Sequence, residues 1–119
     1  MTNDNYKTPN WIKQMFFNWY DPCPLVSIPE TDGLKIEWGD KTYVNPPYSN
    51  PLPWVEKAIE ESKKGNMIAM LLRVDTSTKW FAKLVEADAH ILWFSKRLKF
   101  TDKAANFPSM LVILEGAKD

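Results

Sequence analysis

Apolar residues near the start of this 119-residue chain recur at the spacing of an amphipathic helix. The pattern begins after Thr8, which could cap the helix, and Pro9, whose missing N–H costs nothing at the first helical position. The residues expected on its buried side are Trp11, Ile12, Met15, Phe16 and Trp19. Prolines and a glycine then recur between residues 21 and 33, and they predict a long irregular stretch.

Two further helices are predicted from their apolar spacing and their end signals. The first begins near Ser49 or Asn50, has prolines in its first turn, and ends at Gly65, a residue type suited to the position after a helix. Its expected buried residues are Trp54, Val55, Ala58 and Ile59. The second follows several candidate caps at residues 75–78. Its expected buried residues are Trp80, Phe81, Leu84 and Val85.

Shorter apolar runs predict the strands. Residues 67–72 are continuously apolar, which is the pattern of a strand covered on both faces. The other predicted strands are residues 41–44, 90–94, 97–100 and 110–114. This order of elements indicates an α/β fold with a mostly parallel sheet and antiparallel pairing at its C-terminal edge.

Composition agrees with one folded domain spanning residues 1–119, since 45% of residues are hydrophobic and 25% are charged. No apolar run approaches the roughly 20 residues that span a bilayer, and the start of the chain is polar, so we expect a cytoplasmic protein without membrane contact. The single Cys cannot form an internal disulfide, and one Cys with one His cannot build a His/Cys zinc site. We therefore expect no metal.

The charges sum to zero but are unevenly distributed. Residues 1–62 contain five Lys and Arg against nine Asp and Glu, whereas residues 63–103 contain nine against four. This segregation is compatible with ordinary solvated faces. It is equally compatible with an acidic half that binds a cation and a basic half that binds an anion such as DNA.

The candidate chemistry lies in Asn45-Pro46-Pro47-Tyr48, which follows the predicted strand 41–44. Ligands of open α/β sheets bind beyond the carboxyl ends of strands. The tetrapeptide resembles a motif of amino methyltransferases, and for that reaction the Asn45 side-chain oxygen and the Pro46 carbonyl could accept the two hydrogens of an exocyclic amine and free its delocalised lone pair. Tyr48 could stack on a base taken out of a duplex. The alternative is a strand end at which these residues only form a turn.

The tetrapeptide resembles motif IV of S-adenosylmethionine-dependent amino methyltransferases, in the form typical of enzymes that act on adenine. The chain as a whole resembles the phage N-6-adenine DNA methyltransferase family, a Dam-type group. The matching positions, besides this tetrapeptide with Ser49, are Tyr6-Lys-Thr-Pro9, Asp21-Pro-Cys-Pro24, Asp32-Gly-Leu34 with Trp38, Trp54 with Lys57-Ala58, Met70-Leu-Leu, Asp75-Thr-Ser-Thr-Lys-Trp-Phe81, Arg97-Leu-Lys-Phe100 and Phe107-Pro-Ser-Met-Leu111.

The resemblance implies a shortened Rossmann-like methyltransferase fold and methyl transfer from S-adenosylmethionine to adenine in DNA, in a bacterial, archaeal or phage-infected cell. It assigns the catalytic role to Asn45, Pro46, Pro47 and Tyr48. The implied cofactor residues are Thr8, Pro9, Asp21, Pro22, Cys23, Asp32 and Asn45. The implied substrate residues are Tyr48, Ser49, Trp54, Thr76, Thr78 and Arg97. Helix capping at Thr8 and Thr78, and an Asp-Gly turn at Asp32, remain alternatives.

The sequence also departs from the family. Only four glycines are present and none are clustered, so no glycine-rich loop lets the backbone approach the methionine part of the cofactor. Arg73 stands where the family usually has proline. One alternative function is a glutamine or RNA-base methyltransferase, since the tetrapeptide also occurs in glutamine methyltransferases, although those carry a glycine-rich motif that this chain lacks. The other alternative is a catalytically weak DNA-binding phage accessory protein. We expect no separate target-recognition domain, so that specificity is weak or supplied by another subunit, including a homo-oligomeric partner.

Overall fold

The computed structural model describes residues 8–23, 33–95 and 107–116. Within these ranges the chain forms three helices and four strands. The helices are α1 (Asn10–Met15), α2 (Leu52–Lys63) and α3 (Lys79–Glu86). The strands are β1 (Lys41–Val44), β2 (Met67–Arg73), β3 (His90–Trp93) and β4 (Ser109–Leu114). None of the helices in these three ranges is long and apolar enough to cross a membrane.

The four strands form one mixed sheet in the order β1-β2-β4-β3. β1 and β2 pair in parallel, and β4 is antiparallel to both of its neighbours. β1, β2 and β3 therefore run in the same direction. A single parallel bridge joins Tyr20 to Thr42. Tyr20 donates its N–H to the Lys41 carbonyl and accepts from the N–H of Tyr43, at 2.9 and 2.8 Å.

The predicted α/β class is confirmed, but the sheet is only partly parallel. Of the three strand pairs in the described residues, only β1 with β2 is parallel. The predicted antiparallel pairing is present at one edge of the sheet, where β4 pairs with the edge strand β3, and β4 also pairs antiparallel with β2. The edge position belongs to β3, because the more completely apolar β4 is covered on both faces and fills the interior.

The sheet is covered on two faces by separate groups of apolar residues. Ile68, Met70 and Leu72 of β2 face α2 and α3 in the larger cluster, which also contains Trp54, Trp80 and Leu84. The alternate positions Ala69 and Leu71 face the smaller cluster, which contains Ile12, Tyr43, Tyr48 and Leu111. The continuous apolar run that predicted β2 therefore reflects burial on both sides.

Two helix ends agree with the signals in the sequence that predicted them. Thr78 caps α3, because its hydroxyl accepts the Phe81 N–H at 3.2 Å. Gly65 follows α2 with a φ of 105°, which is the left-handed conformation expected after a helix. Helix α2 begins at Leu52, two to three residues later than predicted, after Pro51 at the N-cap position.

Helix α1 differs most from its prediction. Its N-cap is Pro9, without a side-chain cap hydrogen bond, so the predicted cap at Thr8 is wrong. The helix ends at Met15, and Phe16 and Trp19 reach the smaller cluster from the turn that follows. Only Ile12 is fully buried, whereas Trp11 and Met15 are about half exposed. Exposure also makes the predicted buried position of Val85 in α3 wrong.

Candidate active site

The candidate site lies where β1 and β2 end next to each other. Because these strands are parallel neighbours, the segment after Val44 and the segment after Arg73 leave the same edge of the sheet. The Arg73 guanidinium donates a hydrogen bond to the Tyr48 carbonyl across this edge. The N–H of Val74 also binds the Pro108 carbonyl at 2.9 Å, which brings the start of β4 to the same place.

Asn45 is the first residue beyond β1, and its carboxamide has a defined orientation. Its Nδ2 donates to Thr8 Oγ1 at 3.4 Å. Its Oδ1, on the other branch of the amide, is buried. Thr8 Oγ1 in turn lies 3.1 Å from the Tyr43 hydroxyl. The structure thus brings together the predicted residues Thr8 and Asn45, and it adds Tyr43, which the sequence analysis did not select.

Tyr48 and the two prolines form a compact loop. Pro46 and Tyr48 are buried, and Pro47 is half-buried. The Tyr48 ring meets the Phe107 ring edge to face, with centroids 5.0 Å apart and planes at 70°. Ser49 and Thr76 are exposed beside this loop. The Tyr48 ring therefore packs on Phe107, and stacking on a nucleobase would require that contact to change.

The segment 21–23, called the acidic turn here, lies next to β1 on the side that faces away from β2. The Tyr20 bridge to Thr42 directs Asp21, Pro22 and Cys23 toward the same end of the sheet as Asn45. Asp21 Oδ1 accepts the Cys23 N–H at 2.9 Å, which closes a short turn. Two segments that the sequence analysis assigned to one cofactor are therefore adjacent across β1.

A cavity of about 470 Å³ opens beside this turn. Its lining includes Asp21, Tyr43 and Lys13, with Phe16, Phe17 and Trp19 as aromatic walls. The Asp21 side chain reaches solvent, but the surrounding protein removes part of its hydration and raises the pKa of this carboxyl. The Cys23 hydrogen bond and the charge of Lys13 oppose that increase in pKa. The neighbouring donor and positive charge thus compensate the lost hydration of the Asp21 carboxylate only in part. A cation bound in the cavity would be stabilised by this carboxylate.

Gly33 holds the acidic turn against the core. A Cβ at this position would overlap with the Pro22 carbonyl and lie 2.9 Å from the Trp54 ring. The Gly33 carbonyl accepts the Trp38 indole N–H at 2.7 Å. One of the four glycines therefore permits a close backbone approach, but to another segment of the protein and not as part of a glycine-rich loop.

The remaining predicted site residues have other placements. Trp54 is buried in the core and stacks on Trp38, with centroids 6.4 Å apart. Thr78 uses its hydroxyl to accept from Phe81 and to donate to the Asp75 carbonyl. Asp32 and Arg97 lie outside the described residues, as do the neighbouring basic residues Lys96, Lys99 and Lys103.

A second, larger cavity of about 650 Å³ does not belong to this site. It lies between α2 and α3 and is lined by Glu56, Ile59, Glu60, Lys63, Lys83, Glu86 and Ala87. None of its lining residues follows a strand at the carboxyl edge, and an ion pair of 3.6 Å between Lys83 and Glu56 crosses it. Its size alone gives it no connection with the Asn45 loop.

Four residues of the site are not predicted as site residues from the sequence, namely Lys13, Tyr43, Arg73 and Phe107. The sequence predicts Tyr43 only as part of a buried strand, and it marks Arg73 only as a departure from proline. Alternation along β1 was the available signal for Tyr43, since it places Tyr43 and Asn45 on one face of the sheet. The contact of Arg73 with Tyr48 depends on tertiary pairing, and no local pattern predicts it.

The fold and the site together define an α/β protein with an amide and a proline-fixed loop beyond a strand that has a parallel neighbour. The chain belongs to the DNA N-6-adenine-methyltransferase (Dam) family, whose family model matches residues 1–117. Members of this family use S-adenosylmethionine to methylate adenine in DNA.

Two phage proteins are similar to this chain. The DNA N-6-adenine-methyltransferase of Haemophilus phage HP1 (strain HP1c1) is 35% identical over an alignment of 136 positions. That alignment covers 94% of this chain and 79% of that protein. The DNA N-6-adenine-methyltransferase of Escherichia phage T1 is 45% identical over 78 residues, which cover 64% of this chain and 33% of that protein. No solved structure matches the chain.

Proposed function

We propose that this chain transfers a methyl group from S-adenosylmethionine to the exocyclic amine of adenine in DNA, with Asn45 as the residue that binds the amine. The observation that supports this most directly is the Asn45 carboxamide at the carboxyl end of β1, with Nδ2 toward Thr8. That orientation leaves Oδ1, the acceptor that an amine requires, on the other branch of the amide.

The exocyclic nitrogen is a poor nucleophile because its lone pair is delocalised into the ring. Asn45 Oδ1 and the Pro46 carbonyl accept its two hydrogens and hold the nitrogen closer to tetrahedral geometry. Pro46 and Pro47 fix the backbone that carries these acceptors. The methylated nitrogen is strongly acidic and releases its proton to water, so the reaction needs no titrating base.

The cavity beside the acidic turn fits the cofactor in size and in charge. Its volume of about 470 Å³ lies within the range of small-molecule sites. Asp21 would bind the ammonium group of the methionine part, Lys13 its carboxylate, and the aromatic walls its apolar atoms. When bound, S-adenosylmethionine supplies an electrophilic methyl group on a sulfonium. Pro9, Pro22, Cys23 and Asp32 remain proposed cofactor residues on the strength of the family resemblance. For Thr8, the cofactor contact that the resemblance implies is the alternative to a role through its hydrogen bond with Asn45.

The sheet is compatible with a shortened Rossmann-like methyltransferase fold. Three strands run in one direction, α1 packs on one face, and α2 and α3 pack on the other. The crossovers β1-α2-β2 and β2-α3-β3 each join strands of the same direction. We propose that residues 1–119 act as one catalytic domain.

DNA would approach the carboxyl edge of the sheet. Ser49 and Thr76 are exposed there, and we propose that they and Arg97 contact DNA, with Tyr48 stacking on the extruded adenine. Substrate contacts by Trp54 and Thr78 stay predictions. Trp54 lies in the core and the Thr78 hydroxyl caps α3, so each would have to bind DNA in addition to that role. We further propose action in the cytoplasm of a host cell, with recognition supplied by weak intrinsic contacts or by a second copy of the chain.

The test is incubation of the chain with S-adenosylmethionine labelled in its methyl group and with DNA, RNA and protein substrates separately. We expect label in DNA, recovered as N6-methyladenine after digestion to nucleosides. Asn45→Ala should lower incorporation by about a hundredfold or more, since one acceptor of the reacting group is lost. Asn66→Ala is the matched control, because Asn66 bonds Glu61 at the opposite end of the sheet. Label in RNA or protein, with none in DNA, would contradict the proposal.

A further inference from the structure

Three polar side chains form a connected line at the end of β1. Tyr43 lies in β1, Asn45 is the first residue beyond that strand, and Thr8 comes from the segment before α1. Thr8 Oγ1 lies 3.1 Å from the Tyr43 hydroxyl and 3.4 Å from Asn45 Nδ2. Thr8 is therefore the link between a strand tyrosine and the amide that acts on the substrate amine.

The Tyr43 side chain is held rigidly. It is 6% exposed, and its ring stacks on Phe16 with centroids 4.9 Å apart and planes at 19°. Burial raises the pKa of the Tyr43 hydroxyl above its usual value, and the charge of Asp21 acts in the same direction, while the Thr8 hydrogen bond opposes them. The hydroxyl therefore stays neutral at the pH of any ordinary assay.

The orientation of a carboxamide depends on what its neighbour can donate or accept. The two branches of the Asn45 amide have nearly the same shape, so packing alone distinguishes them poorly. A threonine hydroxyl with its proton free could donate to the amide oxygen and turn the NH₂ group toward the substrate. That orientation would present donors to an amine that also donates, and it would fail to bind it.

We propose that Tyr43 and Thr8 are positioning residues, in which the hydrogen bond with the Tyr43 hydroxyl holds Thr8 Oγ1 in place to accept from Asn45 Nδ2. Asn45 Oδ1 is then kept as the branch of the amide that is left to accept from the substrate amine. The inference rests on the proposed function for its catalytic consequence, but the orientation of the amide can be measured without catalysis. It assigns Thr8 a role that helix capping does not supply, since Pro9 is the N-cap of α1.

Four variants separate this role from a general effect on stability. Thr8→Val removes the hydroxyl at nearly constant shape, Thr8→Ser keeps it, and Tyr43→Phe removes the hydroxyl that binds Thr8. Thr42→Val is the matched control, because Thr42 is buried on the same strand but donates to the Gly39 carbonyl at 2.9 Å, near the start of β1. It should lower stability without changing the orientation of Asn45.

We expect Thr8→Val and Tyr43→Phe to lower kcat by about tenfold or more while the Kd for S-adenosylmethionine changes less than threefold. Thr8→Ser should retain most of the activity. In an Asn45→Ala background, Thr8→Val should have no further effect, because its action passes through Asn45. A raised Kd for the cofactor with unchanged kcat would overturn the inference and make Thr8 a cofactor contact.

A second readout is independent of turnover. In protein labelled with ¹⁵N-asparagine, the side-chain resonance of Asn45 is assigned by its loss in Asn45→Ala. Thr8→Val and Tyr43→Phe should both shift it, and Thr42→Val should leave it in place. If wild-type protein transfers no methyl group but these shifts occur, the proposed function fails and the positioning holds. An Asn45 resonance unchanged in both variants would overturn the positioning, whatever the activity.

Discussion

The guanidinium of Arg73 donates a hydrogen bond to the backbone carbonyl of Tyr48, and so joins the end of β2 to the loop that carries Asn45. The same guanidinium lies 5.5 Å from the centre of the Trp80 ring and 4.0 Å from an Asp75 carboxylate oxygen. Arg73 thus joins the Asn45-Tyr48 loop to Trp80 of α3. The arginine therefore has a structural role at this position.

Replacing Arg73 should loosen the Asn45-Tyr48 loop. We expect Arg73→Ala to lower kcat by about tenfold, because a small displacement of the acceptors weakens their alignment with the amine. The unfolding free energy should fall by about 1–2 kcal/mol through lost packing on Trp80. Steady-state kinetics and urea denaturation measure the two effects.

Arg73→Lys is the informative control for that prediction. Lysine retains a donor and a positive charge but cannot provide the planar group that spans Tyr48 and Trp80. Activity between those of Arg73→Ala and the wild type is expected. Wild-type kcat in Arg73→Ala would show that the loop keeps its geometry without this hydrogen bond.

Affinity for S-adenosylmethionine should decrease as the pH falls, because Asp21 must be ionised to bind an ammonium group. Desolvation raises the pKa of Asp21 above its ordinary value of 3.8, so the loss should begin at a higher pH than an exposed aspartate would show. Asp21→Asn should bind the cofactor about tenfold more weakly at neutral pH and with a flatter profile. Calorimetric titration across pH measures both.

The same shift in pKa has an opposite effect on the protein without cofactor. The folded state holds the Asp21 proton more tightly than the unfolded state, so its ionisation penalises folding as the pH rises through the raised pKa. Asp21→Asn should therefore be slightly more stable than wild type at neutral pH and lose that advantage in acid. Equal stability of the two proteins at neutral pH would contradict a desolvated Asp21.

Glu61 should be the most important buried carboxylate for stability among the described residues. Its side chain is 1% exposed and accepts the Trp38 N–H and Asn66 Nδ2, each at 3.0 Å. Its other oxygen lies 2.8 Å from Lys64 Nζ and 3.3 Å from Lys57 Nζ. These contacts join the end of α2 to the segment before β1, far from Asn45.

Glu61→Ala should lower the unfolding free energy by about 2–4 kcal/mol, because it leaves the Trp38 N–H buried without this acceptor. Burial alone would raise the pKa of Glu61, but the bonds from Lys64, Trp38 and Lys57 lower it below its usual 4.5. Its contribution should be complete above that value and decrease as the pH falls through the lowered pKa. Urea denaturation from neutral to acidic pH tests this, with Glu60→Ala as the exposed control.

Gly33→Ala should disturb the acidic turn as well as the core. The added methyl group would overlap with the Pro22 carbonyl and press on the Trp54 ring, so we expect a loss of about 1–3 kcal/mol in unfolding free energy. Cofactor affinity should fall more than in Gly39→Ala, whose Cβ would meet only the Tyr20 side chain, at 3.2 Å. If cofactor affinity is unchanged, the packing of Gly33 on Pro22 does not position Asp21.

Local patterns predicted the features whose geometry suits only a few residue types. The apolar run predicted β2 because that strand is buried on both faces. Hydroxyl and carboxylate residues at 75–78 predicted a cap for α3, and Gly65 predicted the end of α2 because its left-handed φ suits glycine. Asn45 at the end of β1 was found in the same way, from its neighbouring prolines and the preceding strand.

Features that depend on pairing between distant segments were not predictable. The insertion of β4 between β2 and β3 depends on pairing between segments that are distant in sequence, and the order of elements along the chain does not specify it. Periodicity also predicted too many buried residues in α1. Trp11 fits the apolar pattern as Ile12 does, but it lies on a side of the helix that no described element fully covers. The Arg73 bond to Tyr48 follows from the parallel pairing of β1 and β2.

The interior position of β4 makes the order of synthesis matter for folding. Within the described residues β3 pairs with no strand except β4, and β4 alone connects it to β2. A nascent chain that has not yet reached Ser109 would carry β1 and β2 as one pair and β3 as an unmatched edge. Cooperative closure of the sheet, and with it the placement of Phe107 against Tyr48, must therefore wait for the strand that is last in chain order.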